Sequence, residues 1–378
     1  MKLQKIVPQL ILVTLIPITG TSQDERVSLI IDSPVVTKLA VSAYYPRAAS
    51  SPETEEALQV FNRVLQDDLK FSGFFEIPSP SFYPPGQAKL PQEVDFDQWD
   101  TASVDPDYLT FGNLQVYPSG VVVEAFVYDA KTREQLLGRR YTVSDTGITR
   151  QVAHQIADQL VFQLSSGSSR GVSQTQIAFS SLKGTSKEIY VMDYDGANVR
   201  TITANGGLNK FPEWAIDNSK LVFITKLPRK SSWELWIQDL SGGRTVIPTP
   251  TSYVSSPALS PDGVQVVFSA RSLSRVDSDI FISNLDGSGR RRLTNHSSID
   301  TSPAWSPTSR QIAFVSDRSG TPQLWMMDVD GSNIRRLVNQ GGHCDSPSWS
   351  PDGRYLLYSW QPPKRSKHDI FVIEAISG

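Results

Sequence analysis

The sequence predicts an α/β N-terminal domain followed by a β-propeller, and three observations carry that reading. A segment built on Pro-x-Trp-Ser is anchored at Pro212, Pro257, Pro303 and Pro347, so it returns at steps of 45, 46 and 44 residues. A period of ~40–45 residues with several short strands per unit is the mark of a propeller. Each anchor is followed by a short apolar run: Leu221-Val222-Phe223, Val266-Val267-Phe268, Ile312-Ala313-Phe314 and Tyr355-Leu356-Leu357-Tyr358. Before about residue 170 the repeat is absent, and the patterns read instead as helix, antiparallel strands and a closing helix, which suggests a small α/β sandwich.

The domains follow in order: residues 1–22 as a signal peptide, 23–170 as the N-terminal domain and 171–378 as the propeller. Lys2 and Lys5 precede an apolar run from Ile6 to Ile18, and Gly20 and Ser22 suit a cleavage site. The run is broken by Pro8 and Pro17 and is shorter than the ~20 apolar residues a spanning helix needs, which argues against an uncleaved anchor. With no cysteine near the site, a lipid anchor is not expected. The expected product is exported and soluble, with no direct membrane insertion.

In the N-terminal domain, residues 25–33 and 38–44 are strand candidates. Ser51 is the expected N-cap of a helix that has Pro52 at its first position and Glu53, Glu55 and Glu56 near its positive end. Leu58, Phe61, Val64, Leu65 and Leu69 form one apolar stripe, and Gly73 ends the helix. Residues 78–91, with five prolines, read as a loop. Tyr108 to Tyr117 and Val121 to Tyr128 make a hairpin closed at Pro118-Ser119-Gly120, Leu136 to Val143 a third strand, and Ile148 to Leu164 the stripe of a second helix.

Each propeller unit holds four short strands, a to d, with strand a on the Pro-x-Trp-Ser segment and strand b on the apolar run. The c–d turns carry Asp195-Gly196, Gly242-Gly243, Asp286-Gly287 and Asp330-Gly331, which supply the positive φ that tight hairpins need. Trp214, Trp305 and Trp349 are expected to pack between blades. The strand directions put the d–a and b–c loops on one face. The b–c loops bring Lys226, Arg229, Lys230, Arg271, Arg275, Arg318, Lys364, Arg365, Lys367 and His368 there, a locally basic surface suited to a partner with acidic patches. Counting strands leaves about four and a half blades, with strands missing from both end units. A propeller normally closes into a ring, so a C-terminus truncated at Gly378 is expected.

Composition excludes several functions. Hydrophobic content of 39% and charge of 20% fit a folded protein, and a net charge of −3 gives no reason to expect nucleic-acid binding. The single cysteine, Cys344, rules out an internal disulfide framework. A G-x-S-x-G pattern runs from Gly167 to Gly171, but a nucleophile elbow needs a strand before it and a helix after it, and here a helix precedes and a strand follows. Asp193-x-Asp195-Gly196 and Asp328-x-Asp330-Gly331 look like pieces of a calcium loop but lack its other ligands. His343 beside Cys344 is too small a set for a metal site. No catalytic residue, metal or cofactor is expected.

The repeat Pro-x-Trp-Ser-Pro-Asp-Gly, with Ile-Ala-Phe, Leu-Trp-Met, Asp-Gly and Arg-Arg-Leu following in order, resembles that of the TolB family. Residues 26–33, Arg-Val-Ser-Leu-Ile-Ile-Asp-Ser, look like that family's N-terminal segment, and the α/β domain before the first blade matches its order. The resemblance implies a six-bladed, non-catalytic, monomeric periplasmic scaffold of the Tol–Pal system, acting in outer-membrane integrity and in constriction at cell division. It implies TolA contact through Arg26, Val27, Ser28, Leu29, Ile30, Ile31, Asp32 and Ser33. It also implies contact with the peptidoglycan-associated lipoprotein, Pal, through the propeller loops. On loop placement the positions are Tyr253, Ser255, Asp300 and Thr301. The alternative is the propeller domain of a truncated serine peptidase, which would need a following hydrolase domain with a true elbow.

Overall fold

The computed structural model describes residues 37–375 apart from 87, 102, 145–146, 148, 216, 252, 272–276 and 340. The expected signal peptide and the segment 26–33 lie outside the described residues. Two compact units divide between Gln174 and Thr175.

The first unit is a sheet with two helices on one face. Its elements are β1 (Thr37–Val41), β2 (Tyr45–Pro46), α1 (Pro52–Phe71), β3 (Phe75–Glu76), β4 (Tyr108–Tyr117), β5 (Gly120–Asp129), β6 (Gln135–Val143) and α2 (Thr149–Leu164). The strand order is β3-β1-β4-β5-β6, with β2 also alongside β4. The Ser51 hydroxyl accepts the Thr54 N–H and Pro52 opens α1, so the cap forms as its residue types dictate. The helix stops at Phe71, two residues before Gly73, because the Ser72 hydroxyl donates to the Leu69 carbonyl and caps the last turn. Leu58, Phe61, Val64, Leu65 and Leu69 are all buried and meet Val121, Val123, Ala125 and Val127 from alternate positions of β5.

The proline-rich stretch is more than a loop. It folds into three short 3-10 turns at Pro80–Phe82, Pro91–Glu93 and Phe96–Gln98 and covers the second face of the sheet. There Trp99 and Val104 pack on Leu109, Phe111 and Tyr128, the other parity of β4 and β5. The Tyr83 hydroxyl ties the cover down by accepting the Val41 N–H and donating to the Pro78 carbonyl. Prolines hide the layer from a periodicity reading, because they break every regular period while still delivering aromatics to the sheet.

The second unit is a row of blades. The first holds β7 (Gln176–Lys183), β8 (Ser186–Asp193) and β9 (Arg200–Thr201). The second holds β10 (Leu208–Trp214), β11 (Lys220–Lys226), β12 (Glu234–Asp239) and β13 (Arg244–Ile247). The third holds β14 (Val254–Leu259), β15 (Gln265–Arg271), β16 (Ser278–Asn284) and β17 (Arg291–Arg292). The fourth holds β18 (Asp300–Trp305), β19 (Gln311–Ser316), β20 (Gln323–Asp328) and β21 (Arg335–Arg336). The fifth holds β22 (His343–Trp349), β23 (Tyr355–Gln361) and β24 (Asp369–Glu374).

At three of the crossings into strand a the backbone stitches neighbouring blades together. Leu208 pairs in parallel with Lys187, which joins the first two blades into one seven-stranded sheet. Ile299 pairs in the same way with Ser278, and the Cys344 N–H donates to the Pro322 carbonyl. Apolar strand b residues fill the space between blades: Val222, Ile224 and Phe268 in one cluster, Val267, Ile312 and Phe314 in the next.

Candidate functional site

The sequence places function on the face formed by the d–a and b–c loops, and strand a carries the chain up to that rim. Every strand a has the same defect. The pairing of β10, β14, β18 and β22 with strand b slips between Lys210 and Glu213, Ser255 and Ala258, Thr301 and Ala304, and Asp345 and Ser348. The residue before each anchor proline sits at positive φ: Phe211 at 55°, Ser256 at 47°, Ser302 at 51° and Ser346 at 52°. Proline has no N–H to give a ladder, so strand a, at the edge of its blade, takes up the extra residue as a β-bulge.

The bulge sets which side chains reach the rim. Four residues before the proline, Tyr253 is 50% exposed and Ile299 45% exposed, and His343 is exposed at the same position. Three before, Asn209, Asp300 and Cys344 are 0% exposed and Val254 is buried. Two before, Lys210, Ser255, Thr301 and Asp345 are half-buried. The period of two in a strand produces this alternation.

Tyr253, Ser255 and Thr301 therefore lie on the outward parity of strand a, and Asp300 does not. The Asp300 carboxylate is buried, with Arg318 Nη2 at 2.8 Å from one oxygen and the Ser298 hydroxyl at 3.1 Å from the other. Arg318 also stacks over the rings of Phe314 and Trp325 and donates to the Ser316 hydroxyl at 2.9 Å. Asp300 is a linchpin between a d–a loop and a b–c loop, and it offers no side-chain surface to a partner. The rim residues that loop placement misses are Ile299 and Phe211, the latter 49% exposed. Aligning the four units by their prolines reveals the parity, since the column of Asp300 also holds Val254 and Cys344.

The basic loops are partly neutralised. Lys230 pairs with Glu234 at 2.5 Å, Arg318 is held by Asp300, and the Arg271 guanidinium lies 5.5 Å from the Tyr253 ring centre. Tyr253 thus presents an aromatic surface backed by a cation. Under the rim, the buried Glu188 carboxylate accepts from the Thr203 hydroxyl, the Gly206 N–H and the Asn209 amide, and fixes the first crossing. In the third blade Asp279 faces Arg292 Nη2 at 2.5 Å, yet burial pushes its carboxyl above the usual range.

Three other motifs resolve as structure. Ser169, in the G-x-S-x-G pattern, sits between α2 and β7, and its hydroxyl accepts the Gly171 N–H. Asp193 and Asp328 accept from the amides of Asn198 and Asn333, each at 2.6 Å, while Asp195 and Asp330 accept the backbone N–H groups of Ala197 and Ser332. These are turn-closing carboxylates. His343 is exposed and Cys344 buried, so the two side chains leave β22 on opposite faces.

Comparison with known proteins agrees with this architecture. The family described as TolB beta propeller domain matches residues 165–375, and that described as TolB amino-terminal domain matches residues 28–136. A "Protein TolB homolog" of Chlorobium chlorochromatii (strain CaD3) is 29% identical over 257 residues, covering 68% of this chain and 56% of that protein. A "Tol-Pal system protein TolB" of Anaeromyxobacter dehalogenans (strain 2CP-C) is 31% identical over 287 residues, covering 74% of this chain and 63% of that protein. The matched stretch thus spans less than two thirds of the length of these relatives. The crystal structure of TolB from Acinetobacter baumannii shares the fold, with a TM-score of 0.77 at 22% identity, covering 91% of this chain and 81% of that one. Repeat, N-terminal unit and fold agree: the chain belongs to the TolB family.

Proposed function

We propose that this protein is a non-catalytic, periplasmic scaffold of a Tol–Pal system, serving outer-membrane integrity and constriction at division. In this reading the propeller rim docks Pal and residues 26–33 contact TolA. What carries the reading is the repeated bulge in strand a. In the stretch leading into it, strand alternation leaves Tyr253 and Ile299 outward at one register position, with Ser255 and Thr301 on the same parity and Phe211 exposed in the neighbouring blade. Exposed aromatic and aliphatic side chains on rigid strand ends, rimmed by basic loops, suit a protein partner.

The test is a binding titration of the full chain with the soluble domain of Pal from the same organism. Tyr253→Ala and Ile299→Asp should each weaken binding by about tenfold or more, the range of an interface hot spot. Val264→Ala, at an exposed position in an a–b turn on the opposite face, should have no effect. Equal affinities for all three variants would exclude the rim as the docking face. A peptide of residues 25–33 binding TolA, and losing it on Leu29→Asp, tests the second contact separately.

A further inference from the structure

The sheet of the first unit has two edges, and they are finished differently. On one side it ends in β3, two residues long, and on the other in β6, nine residues long. β6 pairs with β5 from Gln135 to Val143, and among the described residues none of its main-chain groups bonds to any other element. Alternate N–H and C=O groups of β6 therefore point away from the sheet, and the strand is exposed from Gly138 to Arg140. Proteins usually shorten, cover or charge such an edge, because a bare one templates pairing with another chain. β6 is long and uncovered among the described residues, and its exposed stretch carries Arg139 and Arg140.

The same edge borders a cleft. From Leu137 onward the odd-numbered residues of β6 turn toward the helices: Leu137, Tyr141 and Val143 pack into the core that α1 and α2 share, and Arg139 has their parity. Beside Arg139 opens a cleft of ≈ 400 Å³, lined also by Gln155, Gln159 and Phe162 of α2 and by Arg170 from the segment after it. Its charge is one-sided. With its amide oriented to serve both neighbours, Gln159 donates to the Tyr141 hydroxyl and accepts from Arg139 Nη1 at 2.9 Å, so a neutral group steers this guanidinium. Arg170 is exposed and forms no ion pair among the described residues. The carboxylate in the lining, Asp158, is buried and already accepts the Ser173 and Gln174 N–H groups and the Gln174 side-chain amide. Phe162 adds an apolar surface that is 47% exposed. Guarding an edge explains Arg139 and Arg140, but neither Arg170, which lies outside the strand, nor the exposed ring across the cleft.

We infer that the cleft between β6 and α2 takes an extended acidic segment of a partner protein, which joins the sheet as a further strand. Main-chain bonds to β6 supply affinity. Acidic side chains on the helix-facing side of the segment meet Arg139 and Arg170, and an apolar side chain between them covers Phe162. A second copy of this edge is disfavoured. Arg139 is the midpoint of β6, so antiparallel pairing of two such strands would set arginine against arginine, and like charges directly opposite are destabilising. All of these residues belong to the first unit, so the cleft can be tested whether or not the rim docks Pal.

The probe is a peptide with blocked ends, Thr-Glu-Thr-Phe-Thr-Glu-Thr, which when extended carries both glutamates and the phenylalanine on one face. The anisotropy of a fluorophore on its N-terminus is followed as the full chain is added. Saturable one-to-one binding is expected, about tenfold tighter than that of the lysine version, Thr-Lys-Thr-Phe-Thr-Lys-Thr. Arg139→Glu and Arg170→Glu should each weaken binding by about tenfold. Arg63→Glu, the same change of charge at an exposed position of α1, should weaken it by less than about twofold at physiological salt. Main-chain pairing has its own readout. N-methyl groups on the second, fourth and sixth residues of the peptide block one of its edges, and on the third and fifth the other, so one version should bind and the other should not. Four results overturn the inference: no saturable binding, no preference over the lysine peptide, the same loss in Arg63→Glu as in the two cleft variants, or undiminished binding of both methylated versions. A dimer in light scattering that Arg139→Glu abolishes would give the edge to a second copy and overturn it as well. Should a cleft variant fold poorly, the two methylated peptides on the unsubstituted protein still decide.

Discussion

Arg318 Nη2 lies 2.8 Å from Asp300 Oδ2, and this ion pair holds a d–a loop to a b–c loop beneath the propeller rim. Asp300 is wholly buried and the Arg318 side chain is only 13% exposed. Removing one member of a buried pair strands the other charge. Asp300→Ala should therefore destabilise the propeller by roughly 3 kcal/mol. Chemical denaturation of the two proteins side by side gives the value. A loss under about 1 kcal/mol, the range of an exposed pair, would show the pair to be solvated.

The blade-to-blade indole bonds make a contrast within one protein. Trp305→Phe keeps an aromatic ring but removes both the donor to Ala258 and part of the buried indole's packing, and should cost about 2 kcal/mol. Trp214→Phe loses packing too, but its donor has no partner among the described residues, so it should cost about 1 kcal/mol less than Trp305→Phe. Paired thermal unfolding curves decide. An equal loss in both variants would mean that the hydrogen bond is not what separates them.

Ser302 couples the bulge to the next blade. It sits at a φ of 51°, and its hydroxyl donates to Asp345 Oδ1 at 3.0 Å. A β-branched side chain at positive φ is strained and cannot donate, so Ser302→Val should cost about 2 kcal/mol. Ser302→Gly, which relieves the strain but loses the bond, should cost less than half of that. The ranking of the two variants in urea tests the bulge directly.

Cys344 is fully buried, and burial pushes its thiol up to about 11. The thiolate is the reactive form, so a maleimide at pH 8 should label the folded protein hardly at all and the urea-unfolded protein quickly. Rapid labelling of the folded chain would mean that β22 opens on the time scale of the reaction.

The a–b and c–d turns predict the acid response. The carboxyls of Asp262, Asp330 and Asp352 are held below the usual range, first by the hydroxyls of Ser260, Ser332 and Ser350 and then by backbone N–H groups. A depressed carboxyl means that the unfolded chain binds more protons than the folded one. The stabilisation is present above the ordinary aspartate range and is lost as pH falls through the depressed folded values, below about pH 4. Asp279, raised by burial, works in the opposite sense, and its contribution is lost as pH rises through its folded value. Urea midpoints at pH 5, 4 and 3 should fall, and Asp262→Asn with Asp352→Asn should flatten that fall slightly, since both carboxyls are exposed and screened.

The blade period, the assignment of strands a to d, the c–d turns and the cap of α1 are all legible along the chain. These are local: a hairpin needs its Asp-Gly, a helix start its Ser-Pro, and the repeat shows the same solution several times over. Which side of strand a faces out is fixed later, by the pairing of strands in the folded blade. Alternation predicts parity within an uninterrupted strand, but the bulge before each proline adds a residue, and that residue exists only once strand a is paired with strand b. Asp300 looks like a surface residue in a polar stretch, and pairing buries it against Arg318. The aromatic cover over the second face of the first unit, from Tyr83 to Val104, was hidden for a related reason. Its residues are brought together by the sheet they cover, and no spacing along the chain encodes that meeting.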